Sequence, residues 1–255
     1  RKKPAGPRPS PCARTQARRV LVIGAGLALC QRLLLLPQME EVAWAHADGE
    51  YVQWLLEHVP PEFGSADRRL RPVTGDIRGY LAATTDHFDL VIINLPDTAS
   101  AVCNRYFTVE FYQTINAALR AGGIVSVGIA GHESILGAEL VGLGASAHQT
   151  LAQVFANLVL VPGDPTWLIA SNAAGLTGDP AVLRDRFAAL AGAARVFPPA
   201  GLLSVYLPER AAETLRVFER TDLLAGGHYG ATISADGQTV LEQRSFTKDC
   251  LVLKR

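Results

Sequence analysis

Five short apolar runs recur between stretches of helical spacing: RVLVIGAG from Arg19, EVAWAHAD from Glu41, RRLRPVTGD from Arg68, FDLVIIN from Phe88 and IVSVGIAG from Ile124. Each is a few residues long and ends in glycine or a polar residue, and all but the arginine-rich RRLRPVTGD are mostly apolar on both alternate sets of positions. A strand with two apolar faces has to be covered on both sides, which antiparallel surface sheets do not require. The linkers LALCQRLLLLP, GEYVQWLLEHVP, IRGYLAAT and TVEFYQTINAALRAGG read as helices, the last one stopped by its glycines. Strands joined by helices imply parallel pairing through right-handed crossovers. The pattern therefore predicts parallel strands over 20–24, 41–46, 71–74, 88–94 and 124–129.

Residues 132–155 read as largely helical. NLVLVPGDPTWLIASN then reads as an antiparallel hairpin, 157–171, around a Gly163-Asp164-Pro165 turn, closing one edge of the sheet. Asp179 is placed to cap a helix that begins at Pro180. Near the end, Asp236-Gly237 separates two alternating runs as a second hairpin. The expected class is α/β, a methyltransferase-like Rossmann fold with a mostly parallel sheet and a closing antiparallel hairpin. Its expected parts are a basic linker 1–18, the main domain 19–220 and a C-terminal extension 221–255.

Composition narrows the partners. The chain has 255 residues, 49% of them hydrophobic, and a formal net charge of zero. That is enough for one large core and gives no reason to expect a nucleic acid. Cys12, Cys30, Cys103 and Cys250 show no C-x-x-C spacing, and the six histidines no ligand spacing, so no metal and no disulfide framework are expected. No window reaches the ~18 apolar residues of a spanning helix. The nearest, Ala188 to Leu207, is broken by Arg195 and Pro198-Pro199. The leader RKKPAGPRPSPCARTQARR has seven basic residues, four prolines and no acid, so it reads as a linker or as a segment beside a membrane. The sole methionine is Met39, which suggests a piece of a longer polypeptide.

The strand ends carry the candidate site. Gly24 and Gly26 follow the first strand, where glycines let backbone approach a ligand and leave helix N–H groups facing it. Leu29 takes the place of a third glycine, so a tight turn without a ligand is the competing reading. The second strand should end in an acid for a ribose diol. His46 occupies that place by register, and Asp48 lies two residues on, ~6.6–6.8 Å away along a strand. Asp48 is read equally as a helix cap. Asp76, after the third strand, is read as an adenine-amino partner or as a cap.

In order along residues 19–131, the segments VLVIGAG, VAWAHADGEYVQWLLEHVP, GDIRGYL, FDLVIINLPD and YFTVEFYQTINAALRAGGI resemble the spermidine synthase (polyamine aminopropyltransferase) family. The resemblance implies transfer of an aminopropyl group from decarboxylated S-adenosylmethionine to a polyamine, with Asp76 and Ile77 on the nucleoside. A homodimer is compatible with it. NRYFTVEFY, PGDPTWLIAS and LPER are similar to a bacterial subgroup fused to a multi-pass membrane portion. That implies a cytoplasmic domain, at the cytoplasmic face of the inner membrane if the fusion holds.

The family pattern also asks for acids around the attacking amine. An ammonium with a pKa of ~10 has to lose a proton before it attacks. Of the D-x-x-D pair this chain keeps Asp97 and has Asn94 for the first member. Leu27 replaces the glycine-loop acid and His46 the ribose acid. An amide takes no proton at neutral pH. Little or no spermidine synthesis is therefore expected, with Asn94→Asp plus Leu27→Asp as the test: activity restored in that variant alone supports the reading, and silence in both chains favours a scaffold. Three readings remain open: a divergent domain binding S-adenosylmethionine or its decarboxylated form, a non-catalytic scaffold, and an S-adenosylmethionine-dependent methyltransferase. For the first, Gly26→Val should abolish binding without unfolding the domain.

Overall fold

A computed structural model of the chain describes residues 17–60, 67–95, 101–131, 137–221, 227–233 and 239–245. Five parallel strands, β1 (Arg19–Gly24), β2 (Glu41–His46), β3 (Leu70–Thr74), β4 (Phe88–Asn94) and β5 (Leu119–Ile129), are joined by β6 (Asn157–Val161) and β7 (Thr166–Ser171). Their order is β3-β2-β1-β4-β5-β7-β6, with β7 antiparallel to both β5 and β6. This is the methyltransferase-like Rossmann arrangement expected, with the hairpin at one edge.

Alternation along each strand divides the core in two. Val20, Val22, Val42 and Trp44 face one side, under α1 (Leu27–Leu34) and α2 (Gly49–His58). Leu21, Ile23, Ala43 and Ala45 face the other, under α3 (Ile77–Ala83) and, beyond the short α4 (Ala101–Asn104), α5 (Val109–Ala118). Both sets are fully buried, which is why neither alternate position in these runs is polar. Because β1 to β5 run parallel, their C-terminal ends all open on one edge.

Beyond β5 the chain is largely helical: α6 (Ala138–Ala152), then α7 (Pro180–Ala188), α8 (Ala193–Val196), α9 (Leu202–Val205) and α10 (Pro208–Arg220). Asp179 caps α7 as expected, accepting from the N–H groups of Ala181 and Val182. The helix α10 packs on α6 at Gly144, where a side chain would overlap the ring of Phe218. A separate antiparallel pair, β8 (Gly227–Ile233) with β9 (Thr239–Ser245), follows. The Asp236-Gly237 turn between them lies outside the described residues.

Several boundaries differ from expectation, β1 and β3 each beginning one residue early at Arg19 and Leu70, and β5 five residues early at Leu119. The helix α1 stops at Leu34 rather than running to Pro37, and α5 stops at Ala118, before its glycines. Leu119 already pairs with Phe88, and the ladder then shifts register before Ile124 meets Leu90. Gly122, at φ +85°, thus lies in a strand irregularity instead of ending a helix.

Candidate functional site

The first strand runs on through α1 to β2 on one side, while β4 lies on its other side. Open α/β sheets bind ligands outside the strand ends at such a reversal. Here Gly24 and Asn94 are direct register partners across it.

Gly24 has φ +93°, and a Cβ there would overlap the carbonyl oxygen of Asn94. Both facts demand glycine. The turn is held by three polar contacts. The buried indole N–H of Trp44 donates to the Gly24 carbonyl at 2.9 Å. The N–H of Ala25 donates to the Asn94 carbonyl at 2.9 Å. The Asn94 side-chain amide donates to the Ala25 carbonyl. At Gly26 a Cβ would overlap Cγ1 of Val22. Gly26→Val therefore disturbs packing as well as any ligand, and it cannot separate binding from folding.

Leu27 opens α1 with its side chain 9% exposed, in the apolar cluster with Val20, Val22, Cys30 and Trp44. An aspartate at that position would bring a charge into this cluster. Beside it, burial pushes the Cys30 thiol up to about 12, so it is a packing residue and not a nucleophile.

His46 ends β2 with its ring 5.0 Å from that of Tyr51 and 6.2 Å from that of Trp44. His46 Nδ1 lies 3.1 Å from the Asp48 N–H and 3.2 Å from the Asp48 carbonyl oxygen, so the ring is tied to the start of α2 through the Asp48 backbone. The carboxylate of Asp48 accepts from the Tyr51 N–H at 2.9 Å as the cap of α2. Asp76 likewise caps α3, accepting from the Arg78 N–H at 3.2 Å. Gly79 makes room for it, since a Cβ there would lie 2.7 Å from Asp76 Oδ2. Ile77 is 2% exposed and packs in the second core cluster, leaving its backbone as the part that can face a ligand. Asp97 lies outside the described residues.

The structure thus brings Gly24, Gly26, His46, Asp48, Asp76 and Asn94 to one edge of the sheet. Sequence reasoning missed Trp44. A tryptophan in a strand of small residues, next to a glycine turn, has an indole N–H that must find an acceptor when buried. That signal was available. Among the described residues, no three His, Cys, Asp or Glu side chains are grouped to hold a metal ion, and no helix is long and apolar enough to cross a membrane.

The sheet order and the glycine turn at its reversal define a methyltransferase-like Rossmann domain. The spermine/spermidine synthase domain matches residues 10–173, well over half of the chain, and the chain belongs to that family. Curated relatives include the polyamine aminopropyltransferase of Korarchaeum cryptofilum (strain OPF8), 30% identical over 109 residues, 42% of this chain and 34% of that protein. The polyamine aminopropyltransferase of Synechococcus sp. (strain JA-3-3Ab) is 32% identical over 110 residues, again 42% of this chain and 35% of the relative. The chain matches only about a third of these relatives' length. A spermidine synthase solved in complex with the transition state analogue AdoDATO is similar in fold, with TM-score 0.63, 20% identity and coverage of 80% of this chain and 71% of that one. Human methyltransferase-like protein 13 in complex with SAH has TM-score 0.51 and 16% identity, covering 80% and 83%. At these identities the structural likeness concerns the fold.

Proposed function

We propose that this spermidine synthase-like domain binds a nucleoside of the S-adenosylmethionine type and does not carry out ordinary aminopropyl transfer to polyamines. The observation that carries the reading is the Gly24–Asn94 pairing at the sheet reversal, with His46 and Asp76 on the neighbouring strand ends. Glycine backbone there lets a ligand come close, and the structural neighbours solved with AdoDATO and SAH bind such ligands. In this reading the sulfonium end lies over Gly24 and Gly26, the ribose beside His46 and Asp48, and the purine amino group by Asp76 and the Ile77 backbone.

The doubt about catalysis rests on charge. A diammonium substrate needs carboxylates both to hold it and to take a proton, and a positioned base contributes roughly 10²–10⁴ in rate. Leu27 is spent on apolar packing and the Asn94 amide on Ala25, so neither serves a cation. Asp97 alone of the three positions keeps a carboxylate. The division into a basic leader 1–18, a body 19–220 and an extension 221–255 belongs to the same proposal. So does attachment, through that leader, to a membrane portion of one polypeptide, on its cytoplasmic side.

The test is calorimetric titration with methylthioadenosine, S-adenosylmethionine and its decarboxylated form, alongside an assay of aminopropyl transfer to putrescine. Saturable nucleoside binding with no turnover is the expected result. Asp76→Asn keeps the helix cap, because Asn caps as well as Asp, so weaker binding at unchanged melting would assign the carboxylate to the ligand. Absence of binding by all three nucleosides overturns the proposal and favours the scaffold reading, for which the buried Leu27 is the supporting observation. Turnover of ~1 s⁻¹ or more, the usual enzyme range, would equally defeat it.

A further inference from the structure

We infer that Asn94 is a positioning residue that clamps the glycine turn after β1, and that in this chain a carboxylate at position 94 dismantles the candidate site instead of restoring it. The inference rests on the nucleoside reading only for its binding readout. Its stability readout stands by itself.

The geometry is a two-point grip on one residue. Ala25 donates its N–H to the Asn94 carbonyl at 2.9 Å and accepts the Asn94 side-chain amide on its own carbonyl. Trp44 holds the preceding carbonyl, that of Gly24, at 2.9 Å. Both carbonyls of the turn are therefore drawn back onto the protein by donors. Gly24 is held at φ +93° with its Cα against the Asn94 backbone, so the turn has no room to relax toward β4. An amide is needed for the second point, because the partner is an acceptor and only the –NH₂ end of the side chain donates.

An ionised aspartate has the same shape but no donor. At position 94 it would set a carboxylate against the Ala25 carbonyl, leaving that carbonyl without its donor and an anion facing a dipole of the wrong sign. Among the described residues, the hydrogen-bond partner of the Asn94 amide, Ala25, and its register partner, Gly24, carry no titratable side chain to compensate. A protonated aspartic acid, by contrast, has an O–H to give and can replace the amide. The carboxyl of Asn94→Asp would thus be raised in the folded state. The sign follows. Its deficit relative to the native chain is absent below the unfolded value of ~4, builds as pH rises from there to the raised folded value, and is complete above it.

The experiment compares the native chain, Asn94→Asp and Asn94→Ala at pH 3.5 and pH 7.5, by thermal melting and by methylthioadenosine titration. At pH 7.5 both variants should melt lower than the native chain and bind up to about tenfold more weakly, the equivalent of one lost hydrogen bond. At pH 3.5 Asn94→Asp should recover toward the melting temperature and affinity of the native chain at that pH, while Asn94→Ala should not. A purely local loss of packing would not respond to pH in this way. Native melting and affinity of Asn94→Asp at pH 7.5 would overturn the inference. Tighter putrescine binding by that variant at pH 7.5, with the turn intact, would overturn it too. If the native chain binds no methylthioadenosine, the nucleoside reading fails, while the pH-dependent melting difference still decides for or against the clamp.

Discussion

The two ends of the same strands are stabilised by opposite means. At the N-terminal ends, Arg19 bonds Glu41 and Asp86, and Arg71 bonds the same two acids, closing a four-membered ring of ion pairs. Tyr80 of α3 accepts from Arg71 beneath it. Next to the ring, the buried carboxylate of Asp89 accepts from the backbone N–H groups of Arg18 and Arg19 and from Arg120. At the C-terminal ends the contacts are to backbone: Trp44 on Gly24, Asn94 on Ala25, Asp48 and Asp76 on the first turns of their helices. One end satisfies charge with charge. The other uses neutral groups and helix caps to shape main chain, as an edge that receives a ligand requires.

The largest test of this contrast is Gly24→Val. A left-handed φ for a β-branched residue adds to a direct overlap with Asn94, for a loss of roughly 3 kcal/mol or more by urea denaturation. A loss below that of any single charge at the other end would break the comparison. Next comes Asp89→Ala, which leaves two backbone donors and a guanidinium without an acceptor in a site 7% exposed, for roughly 2–3 kcal/mol.

The same carboxylates give a pH dependence. Burial acts to raise Asp89, but the N–H groups of Arg19 and Arg18 and the charge of Arg120 outweigh it and hold the carboxyl below the usual range. For Glu41 burial again acts upward, and its bonds to Arg71 and Arg19 outweigh it. Asp86 is lowered chiefly by its bond to Arg19. A depressed folded value means stability present above the unfolded ~4 and lost as pH falls through the folded values. Unfolding monitored from pH 6 down to pH 2 should show that loss, and Asp89→Asn should flatten its slope. An unchanged slope would remove Asp89 from the account. The smallest effect concerns the other end: Asp76→Ala should cost about 1 kcal/mol as a lost cap, and Asp76→Asn only a few tenths. Equal costs for the two would show that Asp76 is more than a cap in the unliganded domain.

Much of the fold was legible because it depends on local pattern. The bounds of β2 and β4 agree with the expected 41–46 and 88–94, since both are apolar runs ended by polar residues. The early start of β5 was not legible. Nothing in ALRAGG distinguishes a helix stop from a strand irregularity until Leu119 finds Phe88. In the candidate site, residue types were readable while their employment was not. Asp48 and Asp76 were each open between ligand and cap, and the structure has both as caps. Asn94 and Leu27 were read as acids lost from a cation site, and restoring them looked like the natural repair. Their surroundings argue against that repair, because Leu27 is packed among apolar side chains and the Asn94 amide is spent on Ala25.

What the sequence alone determined was the succession of strands, the helices between them, the glycine turn and the absence of a carboxylate at positions 27, 46 and 94. These follow from periodicity, backbone sterics and side-chain chemistry, all of which act within a few residues. What only the tertiary structure decided was partnership. Trp44 reaches Gly24 across 20 residues and Asn94 reaches Ala25 across 69. The strand order that makes them neighbours is set by packing both faces of the sheet, and a hydrogen bond falls off too steeply with distance and angle for any local pattern to foretell it.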